Sequence, residues 1–180
     1  CNTSEEHKTL AFFDINGDGN DDAVWVGNGD VRAAVSNPQS GEFELVQNPS
    51  LVLSGITKIS QPLDYQKEGG YVKFPDINGA AFPDLCFRST QLGIRCVLNV
   101  AQKASDTTGH PANPDIWDWE NIIETGLCKN GDTSELKCND ADNHKTIQFV
   151  DMNGDGMSDI FFRSDTKGLT YFLSSGDTFS

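Results

Sequence analysis

The sequence predicts an all-β protein made of three tandem four-stranded antiparallel units. Three observations point to it. The chain matches itself three times, as AFFDINGDGNDDAVWV at 11–26, KFPDINGAAFPDLCFR at 73–88 and QFVDMNGDGMSDIFFR at 148–163. Each copy sets an Asp/Asn/Gly-rich loop between two runs of β-branched and aromatic residues, the pattern of strands joined by a turn. Helical periodicity is scarce throughout, so apolar residues have no stripe on which to line up along a helix.

The elements follow in order. The first repeat, about 9–44, has strand-like residues at 10–13 (LAFF) and 23–26 (AVWV), and a Gly-containing turn leads to a third strand at 31–36. The second, about 69–100, repeats this with 71–74 (YVKF), 85–88 (LCFR) and 94–99; the third, about 144–180, does so with 147–150 (IQFV), 160–163 (IFFR) and 169–174. The leading aspartates Asp14, Asp76 and Asp151 are 62 and 75 residues apart, enough for four short strands with their turns. The stretches 44–70 and 100–144 are less regular, and 101–143, which carries TTGHPANPDIWDW, is expected to be a long excursion from one three-repeat domain.

Composition narrows the function. A chain of 180 residues should bury roughly 70% of its unfolded surface, and 11 Phe with 37% hydrophobic residues supply a core. Thirteen basic against 27 acidic residues leave a net charge of -14, which repels phosphate backbones and anionic lipid, so nucleic acid is excluded as a partner. No apolar run approaches the roughly 20 residues that span a bilayer. The chain begins at Cys1, from which a removed leader or a trimmed larger protein is expected. Cys86 and Cys96 enclose nine residues, as do Cys128 and Cys138. Two hairpin disulfides are the natural reading, each worth on the order of 3 kcal/mol, with buried free thiols as the alternative. Cys1 is then left for lipid modification, an intermolecular bond or a partner elsewhere. Asn2 opens the Asn-Thr-Ser sequon and is a candidate glycosylation site. An extracellular, secreted location fits these features, with attachment at a cell surface open.

The chemistry lies in the loops. Asp14, Asn16, Asp18 and Asp22 occupy positions 1, 3, 5 and 9, with Gly19 at the sharp turn in position 6. Hard oxygen donors at this spacing suit Ca²⁺, which takes six to eight oxygens; the backbone carbonyl at position 7, Asn20, and a water or a bidentate Asp22 would complete the shell. Asp151, Asn153, Asp155 and Asp159 repeat the pattern with Met157 at position 7. The second loop keeps Asp76, Asn78 and Asp84 but has Ala80 and Ala81 at positions 5 and 6, so a weak or empty site is expected there. An Asp/Asn/Gly hairpin turn without metal is the plainer alternative. EF-hands are excluded, because position 12 is Trp25 or Phe162 where Glu is needed, and the flanks are strand-like.

DINGDGNDDAVWV and DMNGDGMSDIFFR resemble the FG-GAP or VCBS repeats of integrin-type β-propellers, over roughly 100 of the 180 residues. The resemblance implies propeller-like four-stranded blades, each with a Ca²⁺ loop in a hairpin, and gives the ligand roles to the Asp and Asn residues of the first and third loops. Relatives of this kind serve as adhesion modules, lectins, accessory domains of secreted enzymes and parts of toxins. Propellers close with about four to eight blades, so three repeats form either an open array or part of a propeller. Open strand edges would seek other copies of the chain, or the missing blades.

Catalysis is not expected. His7, His110 and His144 are scattered, and no HExxH, GxSxG or phosphate-cradling loop occurs. Trp117 and Trp119, flanked by carboxylates, are candidate sugar-ring platforms, although two alternating tryptophans also suit the buried face of a strand. Arg88 and Arg163 recur after the second strand and are read as hairpin caps or partners of loop carboxylates. The leading expectation is a non-catalytic extracellular calcium-binding structural or adhesive module that assembles through open repeat edges into a ring or filament. Two alternatives stand beside it: a calcium-dependent carbohydrate-binding module that recognises glycans or a cell-surface protein, and a non-catalytic fragment of a larger secreted enzyme or toxin.

Overall fold

The computed structural model describes residues 10–27, 30–45, 72–89, 93–100, 121–127, 147–164 and 168–180. Among them the chain is all-β, with no helix and three antiparallel sheets of four, four and three strands. The first sheet runs β1 (Ala11–Phe13), β2 (Asp22–Gly27), β3 (Asp30–Asn37) and β4 (Glu42–Leu45) in sequence order. The second runs β5 (Val72–Lys73), β6 (Leu85–Ser89), β7 (Gly93–Val97) and β8 (Ile123–Glu124). The third has β9 (Gln148–Val150), β10 (Asp159–Ser164) and β11 (Gly168–Phe172), with β10 in the middle. Three described strands stand where the repeat predicts four. A bridge between Ser174 and Phe179 extends this region beyond β11.

The repeats superpose in register. Phe12 faces Ala23 and Ala23 faces Ala34 in the first sheet; Phe149 faces Ile160 and Ile160 faces Phe172 in the third. In the second sheet Leu85 faces Val97 and Cys86 faces Cys96. Cys86 and Cys96 are joined as a disulfide, as the hairpin spacing predicts. One element departs from the sequence expectation: the fourth strand of the second sheet, β8, comes from within the stretch read as an excursion. Arg95 pairs with Glu124 and Cys96 with Ile123, and the Arg95 guanidinium lies 3.2 Å from the Glu124 carboxylate. This strand is only two residues long, and its pairing rests on contacts 27 or more positions away, which no local pattern announces.

The described residues fall into two compact units. One holds the first sheet with Asn99 and Val100; Ile15, Ala23, Val24, Ala34 and Val35 are its buried apolar residues among those described. The other holds the second and third sheets, whose facing sides form a continuous core. Ile94, Leu127, Ile147, Ile160 and Phe162 pack together, with Phe149 and Phe172 against them, and Phe149 also packs on the cluster of Ile77, Cys86, Cys96 and Ile123. Phe162 is buried, whereas its equivalent Trp25 is only partly buried. Cys1, Asn2, Trp117, Trp119, Cys128, Cys138 and all three histidines lie outside the described residues.

Candidate functional site

Each loop is built by its first aspartate. Asp14 Oδ1 accepts the N–H groups of Gly17 at 2.6 Å and Asp18 at 3.1 Å, while Oδ2 accepts that of Gly19 at 2.8 Å. Asp76 does the same for Gly79, Ala80 and Ala81, and Asp151 for Gly154 and Gly156. Position 6 must turn through the left-handed region for this to close: φ is 92° at Gly19 and 88° at Gly156. The second loop makes the same turn with Ala81 at φ 66°, where a side chain is unfavourable. The backbone cradle therefore survives the loss of glycine, while the carboxylate of position 5 is replaced by Ala80.

Positions 3 and 5 add to the cluster in the first and third loops. Asn16 Oδ1 accepts the Asp18 N–H at 2.9 Å, and its amide donates to Asp18 Oδ2 at 3.2 Å. Asn153 and Asp155 repeat both bonds at 3.1 and 2.8 Å. In the second loop Asn78 accepts the Ala80 N–H, but Ala80 has no carboxylate to offer.

The ninth position does something that spacing alone did not reveal. Asp22 is fully buried; Oδ2 accepts the Ile15 N–H at 3.1 Å and Oδ1 the Ser36 N–H at 2.8 Å, so it clamps the loop to the end of β3. Asp159 holds Met152 and Ser174 in the same way, both at 2.8 Å, and Asp84 holds Ile77 at 2.8 Å. Both oxygens of Asp22 and of Asp159 face backbone donors, so these residues order the loop besides any part in the ligand set. The sign of this role in the sequence is that Asp84 persists in the loop that has lost positions 5 and 6.

A second polar set was also missed. Ser36, Asn99 and Ser174 stand at equivalent strand ends. Asn99 Nδ2 donates to the Ile15 carbonyl at 3.3 Å, and Ser174 Oγ to the Ile77 carbonyl at 2.6 Å, so each covers position 2 of the preceding repeat's loop. The buried polar residues among those described are Asn16, Asp22, Asp84, Asn99, Asp159 and Ser174, all of them loop or strand-end members of the repeat. Its polar core is thus devoted to holding the loops in shape.

The electrostatics divide the aspartates. Burial pushes Asp22 up to about 6 against the opposing hydrogen bonds from Ser36 and Ile15, and the charges of Asp18 and Asp14 add to the push. Asp151, at the surface, is held below the usual carboxylate range by the N–H groups of Gly156 and Gly154. Among the described residues no three His, Cys, Asp or Glu side chains converge as a ready metal cage. The side chains gathered around the turn in the first and third loops are two carboxylates and one amide, whose oxygens are of the kind that suits a hard cation. Arg163 is exposed at its strand and makes no described ion pair with a loop carboxylate. Among the described residues no helix is long and apolar enough to cross a membrane.

No protein-family model and no curated protein matches the chain.

Proposed function

We propose that this chain is a non-catalytic extracellular structural or adhesive module of propeller-like repeats, stiffened by Ca²⁺ in its first and third loops and assembling with other copies of itself. The observation that carries the reading is the repeated cradle, in which Asp14 and Asp151 organise the same backbone turn beside Asn16/Asp18 and Asn153/Asp155. When bound, a divalent cation supplies positive charge at a place where carboxylates otherwise repel one another. Asp14, Asn16, Asp18 and the Asn20 carbonyl would hold it in the first loop, and Asp151, Asn153, Asp155 and the Met157 carbonyl in the third. Asp22 and Asp159 fix the loop on its strands. The Cys86–Cys96 disulfide supports an oxidising compartment.

Calorimetric titration of the metal-free protein with Ca²⁺ tests the reading. Two ions per chain are expected, and a stoichiometry of zero or one overturns it.

A further inference from the structure

We infer that the outer face of the first sheet is a docking surface for the third repeat of a second copy of this chain, joined head to tail. This rests on the assembly reading above and assigns its surfaces. The template is inside the second unit, where the third sheet packs on the second. The face of the third sheet that carries Phe149, Ile160, Phe162 and Phe172 covers Ile94, and Phe149 also packs on the cluster of Ile77, Cys86, Cys96 and Ile123. Two polar contacts set the register: Ser158 N–H to the Asp76 carbonyl at 2.6 Å and Ser174 Oγ to the Ile77 carbonyl at 2.6 Å.

Both partners of this contact recur in the chain with large apolar side chains exposed. In the first sheet the row Phe12, Ala23, Ala34 occupies the register of Phe149, Ile160, Phe172. There Phe12 is 56% exposed and Phe43, beside Ser36 on β4, is 51% exposed, their rings 6.3 Å apart. Two small alanines between β1 and β4 let the rings lean together over an otherwise shallow face. Ser36 occupies the place of Ser174, yet its Oγ is shut off from water with no hydrogen-bond partner among the described residues. An enclosed hydroxyl with no partner is costly, and its equivalents Asn99 and Ser174 both have a loop carbonyl. Rotation about χ1 is enough to redirect a serine hydroxyl.

The complementary face is on the third sheet. Tyr171 stands where Cys96 stands in the second sheet and Leu169 where Ile94 stands. Cys96 and Ile94 are 0% exposed under the third sheet, whereas Tyr171 is 55% and Leu169 70% exposed. No described residue bonds the Met152 carbonyl, the counterpart of the Ile15 and Ile77 carbonyls, and Met152 is itself exposed. A second copy placed as the third sheet is placed on the second would bury Phe12, Phe43, Tyr171 and Leu169 together. It would give Ser36 Oγ the Met152 carbonyl, and Asp21 N–H, the counterpart of Ser158 N–H, the Asp151 carbonyl. The two faces differ, so the contact is heterologous and continues as a ring or filament.

The test uses the full chain in Ca²⁺, with molar mass followed by light scattering and sedimentation. Wild type should grow with concentration. Phe43→Asp and Tyr171→Asp each alter an exposed side chain on one of the two proposed contact faces, and each alone should associate at least ~10-fold more weakly. An equimolar mixture of the two should give a 1:1 dimer that grows no further, because one intact face of each kind remains, and this also shows that both variants are folded. Wild type that stays a 19.6 kDa monomer at every concentration overturns the inference. So does a mixture that does not pair, or either variant self-associating as wild type does, which would mean a like-with-like dimer or a further repeat as the natural occupant. Calcium stoichiometry measured on monomeric Tyr171→Asp separates the two readings. Two ions with no pairing sinks the docking alone, and pairing without calcium sinks the metal reading alone.

Discussion

Asp84 and Ala81 belong to the same nine-residue loop and should respond in opposite ways to substitution. Asp84 is buried and satisfies the Ile77 N–H. Asp84→Ala leaves that donor enclosed without an acceptor, so stability should fall by about 1–3 kcal/mol in urea unfolding while calcium stoichiometry stays at the unsubstituted value. Loss of a calcium ion instead would mean that the second loop is a site and Asp84 a ligand. Ala81 holds φ at 66°, where an L side chain costs about 1–2 kcal/mol, and glycine returns roughly 0.5–1 kcal/mol of that as unfolded-state entropy. Ala81→Gly should therefore raise stability by about 0.5–1 kcal/mol in the same measurement. A neutral or negative result would show that the Ala80 and Ala81 segment relaxes away from the turn.

The hairpin is the element in which these residues work. Because Asp76 already gathers the N–H groups of Gly79, Ala80 and Ala81, the second loop has the backbone turn of the other two and lacks only their carboxylate at position 5 and glycine at position 6. Ala80→Asp with Ala81→Gly should raise the calcium stoichiometry by one; no gain would mean that the cradle is not sufficient for binding. In the same repeat the disulfide ties β6 to β7 at a directly opposed pair. Replacing both Cys86 and Cys96 with Ala removes a short covalent loop from the unfolded chain and should cost roughly 2–4 kcal/mol, read from denaturant unfolding with midpoint and m both fitted. Peptide mapping without reduction should recover the pair.

For the whole molecule the dominant quantity is the charge of -14, which opposes both the compact chain and the approach of copies. Ca²⁺ bound as proposed in the folded loops would act on both. One site at a free concentration 100 times its Kd adds about 2.7 kcal/mol to folding, so thermal unfolding should move upward on calcium addition and return with chelator. Asp155→Ala removes a carboxylate from the third loop alone, and about half of that calcium-dependent gain should vanish. An unaltered gain would place the stabilising ion elsewhere.

The amino-acid sequence by itself determined the local parts of this protein. The all-β class, the three loops, the β6–β7 disulfide and the two-strand hairpin around each loop all follow from residues within a few positions of one another. Gly19 and Gly156 mark turns only they can make freely, and strand alternation sets the register on either side. The tertiary structure alone decided what each polar residue was for. Asp22 and Asp159 read as ligands from spacing, and their clamp on Ser36 and Ser174 appears only when the third strand returns 14 or 15 residues later. The capping of Ile77 by Ser174, 97 residues away, and the recruitment of Ile123–Glu124 as β8 are further still from any local signal. Exposure is the extreme case. Tyr171 and Cys96, or Phe12 and Phe149, hold equivalent places in equivalent strands, and only the presence or absence of a packed neighbour makes one part of a core and the other part of a surface.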